Sequence, residues 1–378
     1  MPWREYSVMS QRRELVMFAS DNSNISHLSR GYGISRKTAY KWINRYSQEG
    51  NDGLVDRSRR PRHSPMKTPP LLERAALAVR KDHSTWGGRK IRARLIAMGY
   101  EDVPSASTIT GILHRNGKIS PDESDKHRPW KSFEYKEPND LWQMDFKGHF
   151  PLKNGRCHPL TILDDHSRFS IGIRACTDEK RATVHWELKN VFRTYGLPKR
   201  MLLDNGPPWG GQGRSVYTIF TVWLIRLGIR VIHSRAYHPQ TLGKDERFHR
   251  TLKEELLSGR EFNDIRESQT SFDSWRESYN FERPHEALNM ATPAESYKPS
   301  SKEIPKTLPK IEYESDDHVR KVQSVGEIHF KGREYIIGKA FRGEPVAVRS
   351  TMIDGQYKVF YCSELIKIID LNVVDKIK

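Results

Sequence analysis

Three carboxylates stand where separate backbone elements could bring them together. Asp145 lies in the strand-like run 141–146. Asp204 ends the run 201–204, just before the turn pair Asn205-Gly206. Glu246 opens a helix-like stretch that starts at Gly243. Hard divalent cations such as Mg²⁺ prefer oxygen ligands and keep part of their water, so three carboxylates from separate elements form an open site that phosphate oxygens can complete. Two such ions, roughly 3.5–4 Å apart, can activate an attacking oxygen and stabilise a leaving one in an in-line displacement. That is phosphodiester chemistry. The chain holds 47 acidic residues, and acids are usually solvated surface groups, so spacing alone does not single out these three.

Asp245 competes with Glu246, because adjacent helical residues differ by about 100° in direction and only one of them can face a metal. Arg250 and Lys253 lie four and seven residues after Glu246, on its face, and could hold DNA phosphates. Phe248, Leu252 and Leu256 form an apolar stripe instead. Asp164 and Asp165, at a strand end, read as structural or turn-forming. His238 reads as shaping the loop before the helix rather than as a base.

The segments Trp142-Gln143-Met144-Asp145, Leu163-Asp164-Asp165-His166-Ser167-Arg168 and Leu203-Asp204-Asn205-Gly206-Pro207-Pro208, together with the run 238–253, resemble the integrase-like catalytic core of bacterial insertion-sequence transposases. Within that group they look like insertion-sequence family four-eighty-one. Tyr279-Asn280, Arg283-Pro284-His285, Ala287-Leu288 and Thr292-Pro293 match the same family's end-of-core pattern. The resemblance covers about residues 10–300. It implies a ribonuclease-H-like fold and assigns the catalytic, metal-holding triad to Asp145, Asp204 and Glu246. It also implies two Mg²⁺ ions per site, with Mn²⁺ able to substitute. The family pattern and the spacing to Arg250 and Lys253 both favour Glu246 over Asp245. One departure is that 41 residues separate Asp204 from Glu246, more than is usual in the superfamily. The Gly-rich stretch 209–214 would hold the excess as a loop.

The activity implied is cleavage of a phosphodiester at each transposon end, followed by attack of the freed 3′-hydroxyl on target DNA. The partners implied are double-stranded DNA, as terminal inverted repeats and as target, and further copies of the chain. Joining two ends needs two active sites, hence at least a dimer.

Several elements must position these residues. Stretches 14–20, 25–32 and 36–46 have helical patterns, with Gly33 allowing a tight turn and Ser35 a good N-cap, which together make a helix-turn-helix. On the last helix Ala39, Trp42, Ile43 and Tyr46 share a stripe. Arg36, Lys37, Thr38, Tyr40 and Lys41 are left facing outward as candidate DNA contacts. In the linker that follows, Arg59, Arg60 and Arg62 could lie along a minor groove. A second helix-turn-helix is read over 71–117, with helices from Leu71, over 89–98, and from Ser105 or Ser107. The core alternates strand runs 141–146, 160–163, 169–175, 200–203 and 229–233 with helical runs 182–195, 219–227 and 244–257, an α/β order with a mixed sheet. The tail shows alternating runs 328–330, 334–337, 346–349 and 357–361, which predict a small β-barrel.

The fold class is therefore multidomain: all-α helix-turn-helix modules, a central α/β ribonuclease-H-like core and a C-terminal β-barrel. The expected divisions are a first helix-turn-helix over 1–50, a basic linker over 51–70, a second module over 71–117, and a linker over 118–138. The catalytic core over 139–298, a linker over 299–310 and the barrel over 311–378 complete the chain.

Composition agrees with a polyanionic partner. Lys and Arg number 64, giving a net charge of +17. The first 138 residues carry 26 basic against 15 acidic groups, the densest excess in the chain, and counterion release there would supply most non-specific affinity. No apolar run approaches a membrane span, and the start lacks a signal-peptide stretch, so a cytosolic, nucleoid-associated protein is expected. Cys157, Cys176 and Cys362 are far apart and form no Cys-x-x-Cys pair, which argues against a disulfide framework and a thiolate zinc site, and they read as ordinary buried thiols. A DNA-binding regulator with a silent core is the alternative, and the full set of acids speaks against it. A retrovirus-type integrase is disfavoured by the lack of a His/Cys zinc module.

Overall fold

The computed structural model describes residues 7–21, 24–58, 67–119, 135–204, 206, 209–210, 217–233 and 243–372. The chain divides into two compact units, 1–67 and 68–378.

In the first unit, helices α1 (Val8–Ser20), α2 (Ile25–Gly31) and α3 (Arg36–Glu49) enclose a small core of Leu15, Val16, Ala39, Trp42 and Leu54. Gly33, at φ 65°, makes the turn between α2 and α3. Ser35 caps α3 by accepting from the Thr38 N–H at 3.1 Å, satisfying one of the helix's free amide donors. This is a helix-turn-helix.

The second unit begins with another three helices, α4 (Pro70–Asp82), α5 (Gly88–Ala97) and α6 (Ala106–Arg115), packed through Ala76, Val79, Trp86, Ile91, Leu95, Ile109 and Leu113. Gly88 lets α5 touch α6, since a Cβ there would lie 2.3 Å from the Ala106 carbonyl oxygen. Of the two caps allowed by the sequence, Ser105 is the one used, accepting from the Thr108 N–H at 3.2 Å.

The central layer is a six-stranded mixed sheet of β1 (Trp142–Phe146), β2 (Phe150–Leu152), β3 (Gly155–Asp164), β4 (Ser170–Cys176), β5 (Arg200–Leu203) and β6 (Arg230–His233). Strand β3 is antiparallel to β1, β2 and β4, whereas β5 runs parallel to β1 and β6 parallel to β5. Successive strand residues point to opposite faces, and each face has its own helical cover. Trp142, Met144, Leu160 and Ile162 pack against α7 (Arg181–Tyr195) and α8 (Ile219–Arg226). Leu163 and Ile173 pack against Phe248 and Leu252 of α9 (Gly243–Leu252) and Phe272 and Tyr279 of α10 (Ile265–Phe281). Parallel strands covered on both faces by helices, with antiparallel strands added on one side, form a ribonuclease-H-like core.

The helical run read over 244–257 is in fact two pieces, because α9 gives way to a π-turn at Lys253–Leu257. Glu255, in that turn, accepts from Thr85 at 2.5 Å and pairs with Arg283. Arg94 of α5 donates to Glu282 at 2.7 Å. The second helical module is thus fastened to the turn after α9 and to the residue that follows α10.

Beyond the short helix α11 (Pro293–Ser296), the tail is all-β. Strands β7 (His318–Lys321), β10 (Pro345–Ser350), β11 (Gln356–Tyr361) and β12 (Glu364–Asp370) form a four-stranded antiparallel sheet, and β8 (Glu327–Phe330) pairs with β9 (Arg333–Ile336) as a hairpin. The expected barrel is therefore two antiparallel sheets around one core, with no ladder closing them among the described residues. That core includes Val222 and Ile225 of α8, so the tail packs on the central domain. No helix among the described residues is long and apolar enough to cross a membrane.

Candidate active site

Asp145 sits near the carboxyl end of β1, half-buried, and Asp204 follows the last residue of the neighbouring parallel strand β5. The ladder pairs Trp142 with Met201 and Gln143 with Leu202; two further steps bring Asp145 level with Asp204. Their proximity has an electrostatic signature. Burial, and then the negative charge of Asp204, push the Asp145 carboxyl up to about 7.

Asp204 is held by the turn that follows it. Its Oδ1 accepts from the Gly206 N–H at 2.9 Å and from the Trp209 indole N–H. Trp209 is buried and stacks on Phe146 of β1 at 5.4 Å between centroids, so the loop carrying Asp204's donor is pinned to the strand carrying Asp145. Sequence reasoning took Trp209 as the start of a Gly-rich loop and missed this role. The signal available was a large aromatic residue five positions after the acid.

The third acid stands differently. Glu246 is exposed on the first turn of α9, and it makes no hydrogen bond or ion pair among the described residues. Its neighbour Asp245 is only 1% exposed, and neither carboxyl oxygen has a hydrogen-bond partner among the described residues. Burial and the charges of Asp145 and Asp165 push Asp245 well above the usual carboxylate range. The structure thus brings Asp145 and Asp204 together and turns Asp245, rather than Glu246, towards the sheet. Among the described residues no three His, Cys, Asp or Glu side chains are gathered closely enough to hold a metal ion. The Asp145–Asp204 pair does suit one: two hard oxygen donors side by side, one of them unfavourably charged, are what a divalent cation relieves.

Basic groups follow Asp145 and Glu246 along the chain. Arg250 and Lys253 are exposed, as Glu246 is. Lys147, two residues after Asp145, is held below the usual lysine range by burial and then by the charge of Lys253. His249 lies inward, its Nε2 2.7 Å from Thr161 Oγ1, and Thr161 donates to the Asp145 carbonyl at 3.0 Å. Burial, and then Lys147, push its imidazole down to about 4, so it is neutral near pH 7. Neither Lys147 nor His249 was singled out from sequence, since each becomes notable only once α9 is laid across β3. Phe248 and Leu252 are buried and Leu256 packs beside them, as the stripe requires. Asp164 is a turn organiser, accepting from the Ser167 N–H and hydroxyl at 2.8 and 2.6 Å and from the Asn139 N–H at 2.7 Å.

On the first helix-turn-helix, Arg36, Lys37 and Lys41 are exposed and Tyr40 is 52% exposed. Thr38 is half-buried, and its hydroxyl lies 2.9 Å from that of Ser35 at the helix cap. The Lys41 ammonium rests 4.1 Å from the Trp42 ring centroid, where Arg12 also stacks at 3.8 Å. Arg59, Arg60 and Arg62 lie outside the described residues, as do His238, Asn205, Pro207, Pro208 and the stretch 211–214.

Comparison with known proteins defines the class. Residues 136–239 and 227–293 each match an integrase core domain. Residues 11–62 match a helix-turn-helix domain and 38–113 a homeodomain-like domain. In this order of domains the chain is similar to integrase-core transposases. Within that class the chain is similar to the IS481 family, since residues 317–376 match the C-terminal domain of IS481 family transposases.

Among individual proteins, the chain is 28% identical over 159 residues to an uncharacterized 31.7 kDa protein of insertion element IS407 from Burkholderia multivorans, covering 42% of this chain and 55% of that one. It is 23% identical over 397 residues to the transposase for transposon Tn552 from Staphylococcus aureus, covering 92% and 80%. The chain spans about half the length of the IS407 protein and of a similar IS476 protein from Xanthomonas euvesicatoria. Among solved structures, the simian T-cell lymphotropic virus intasome in complex with PP2A regulatory subunit B56 gamma aligns at 15% identity and TM-score 0.39, over 79% of this chain and 96% of that one.

Proposed function

We propose that the protein is a DNA transposase that binds transposon ends through its helix-turn-helix modules and cuts and joins DNA at Asp145, Asp204 and Glu246. The observation that carries this reading is the pair of acids at the carboxyl ends of adjacent parallel strands inside an integrase core. Asp145 and Asp204 would hold Mg²⁺, with Glu246 completing the set, and two ions would supply activation of the attacking oxygen and stabilisation of the leaving one. The chain's own groups supply the rest. Lys147, Arg250 and Lys253 offer cationic positions for backbone phosphates, and neutral His249 orients Thr161 against the back of β1.

In the first step a water oxygen bonds to phosphorus as the bond to the 3′-oxygen breaks, leaving a 3′-hydroxyl and a 5′-phosphate. In the second, that 3′-hydroxyl oxygen attacks a target phosphorus, and the displaced target 3′-oxygen takes up a proton. No covalent protein–DNA intermediate is required. Two ends joined together call for two copies of the chain on one DNA assembly.

The test is incubation of the protein with Mg²⁺, or Mn²⁺, and DNA carrying the flanking ends of its own gene. Cleaved ends bearing 3′-hydroxyls, and products joined to target, are expected. Sequence-specific binding without cleavage under either metal would overturn the enzymatic reading in favour of a regulator.

A further inference from the structure

We propose that Asp165 and Lys244 are positioning residues: their buried ion pair locks the helix carrying Glu246 to the strand carrying Asp145 and so sets the register of the acid site. The inference rests on the reading of that site given above.

Asp165 follows the last residue of β3 and its side chain is fully buried. It is nonetheless saturated with partners from three directions. Lys244 Nζ, itself 8% exposed, lies 2.7 Å from Asp165 Oδ2 and donates to the Asp165 carbonyl at 3.1 Å. Gln143 Nε2 donates to Oδ1 at 2.7 Å, and the Tyr135 N–H donates to Oδ2 at 2.9 Å. The Asp165 N–H in turn donates to the Leu141 carbonyl at 3.0 Å, just ahead of β1.

The spacing gives this network its meaning. Gln143 lies two residues before Asp145, on the same face of β1, because side chains repeat every second residue along a strand. Lys244 lies two residues before Glu246, in the first turn of α9. One buried carboxylate therefore ties together the points from which two of the three acids project. Stability alone does not account for it. A cation in the first turn of a helix is opposed by the helix dipole, and its burial adds a desolvation cost. Buried ion pairs are best attested as devices that select one packing register. Asp245, the next residue, has no hydrogen-bond partner among the described residues and cannot anchor the helix in its place.

The test follows Mn²⁺ binding by the full chain, through the loss of the free-ion paramagnetic signal, beside end cleavage, end binding and thermal melting. Asp145→Asn provides the reference for lost metal binding. Lys244→Met and Asp165→Asn are expected to weaken Mn²⁺ binding about 10- to 100-fold, as losing an outer-shell support does, while end binding is unchanged. The double variant should be no worse than the poorer single, since both break the same link. Lys244→Arg should restore most of the affinity. If the single variants fail to fold, Gln143→Met cuts the strand side of the network while sparing the ion pair, and it should give the same shift. Mn²⁺ affinity within twofold of wild type in these variants would overturn the proposal. So would a loss that merely tracks the unfolded fraction, with the folded protein binding normally. A wild-type chain that binds Mn²⁺ in a Lys244-dependent way yet never cuts its ends would retain the positioning role and discard the transposase reading.

Discussion

At the scale of single residues, the adjacency of Asp145 and Asp204 was implied by their places at the ends of two strand-like runs, and the sheet register supplies it. Asp145→Asn, Asp204→Asn and Glu246→Gln should each abolish cleavage and strand transfer while end binding persists, because each removes a ligand charge and almost no volume. Gel-shift and cleavage assays on the same preparations check both halves. Asp245→Asn should be much milder: it exchanges a buried carboxyl for an amide of the same shape. A dead Asp245→Asn beside an active Glu246→Gln would mean that the buried acid is the ligand. Trp209→Phe separates the two contributions of the indole, keeping the ring against Phe146 and deleting the donor to Asp204. It should lower the cleavage rate about 10- to 100-fold without changing the melting temperature much, and a wild-type rate would show that the indole's hydrogen bond to Asp204 is incidental.

At the scale of elements, periodicity located most helices and strands near Asp145 and Asp204, because each buries a regular stripe against the sheet. It did not reveal β2, α10, β7 or β12. Strand β2 is three residues long, and every residue of β7 is exposed, so neither shows alternation. Helix α10 buries Ser268, Ser271 and Asn280 beside Phe272 and Tyr279, a face too polar for a hydrophobic pattern to mark. The π-turn after α9 was equally hidden, since an extra residue in one turn leaves composition unchanged. The pairing of Asp145 with Asp204 was legible from their places at strand ends, but not the exposure of Glu246 or the burial of Asp245, which depend on how α9 is seated. Exposed helix faces carry two expectations of their own. Arg36→Ala with Lys41→Ala on α3 should weaken end binding by about 1–3 kcal/mol for each side chain that reaches a base edge, with relaxed discrimination, and leave chemistry on bound ends intact. Competition against scrambled ends reads both effects, and unchanged binding would remove α3 as the reader. Arg250→Ala with Lys253→Ala should leave end affinity nearly normal and depress joining to target; normal strand transfer would show both to be solvated charges.

At the scale of the molecule, positive charge is densest in the first 138 residues, whereas the acids lie in the middle of the chain, so the proposed function puts grip and chemistry on different segments. Helices α4–α6 are tied to the core at several points. Thr85 on Glu255, Arg94 on Glu282 and Arg89 on Glu286 tie the second helical module to the turn after α9 and to the residues that follow α10. On the proposed function, a module that grips end DNA while tied to the cutting site would act as a ruler: it would fix in ångströms, hence in base pairs and helical phase, how far from its recognition sequence the strand is cut. Inserting about 5 base pairs, half a turn of duplex, between that sequence and the cleavage point should move the scissile phosphate to the far side of the helix and stop cleavage, and about 10 should restore its facing. Wild-type cutting at the displaced junction would show that the gauge is not in the protein.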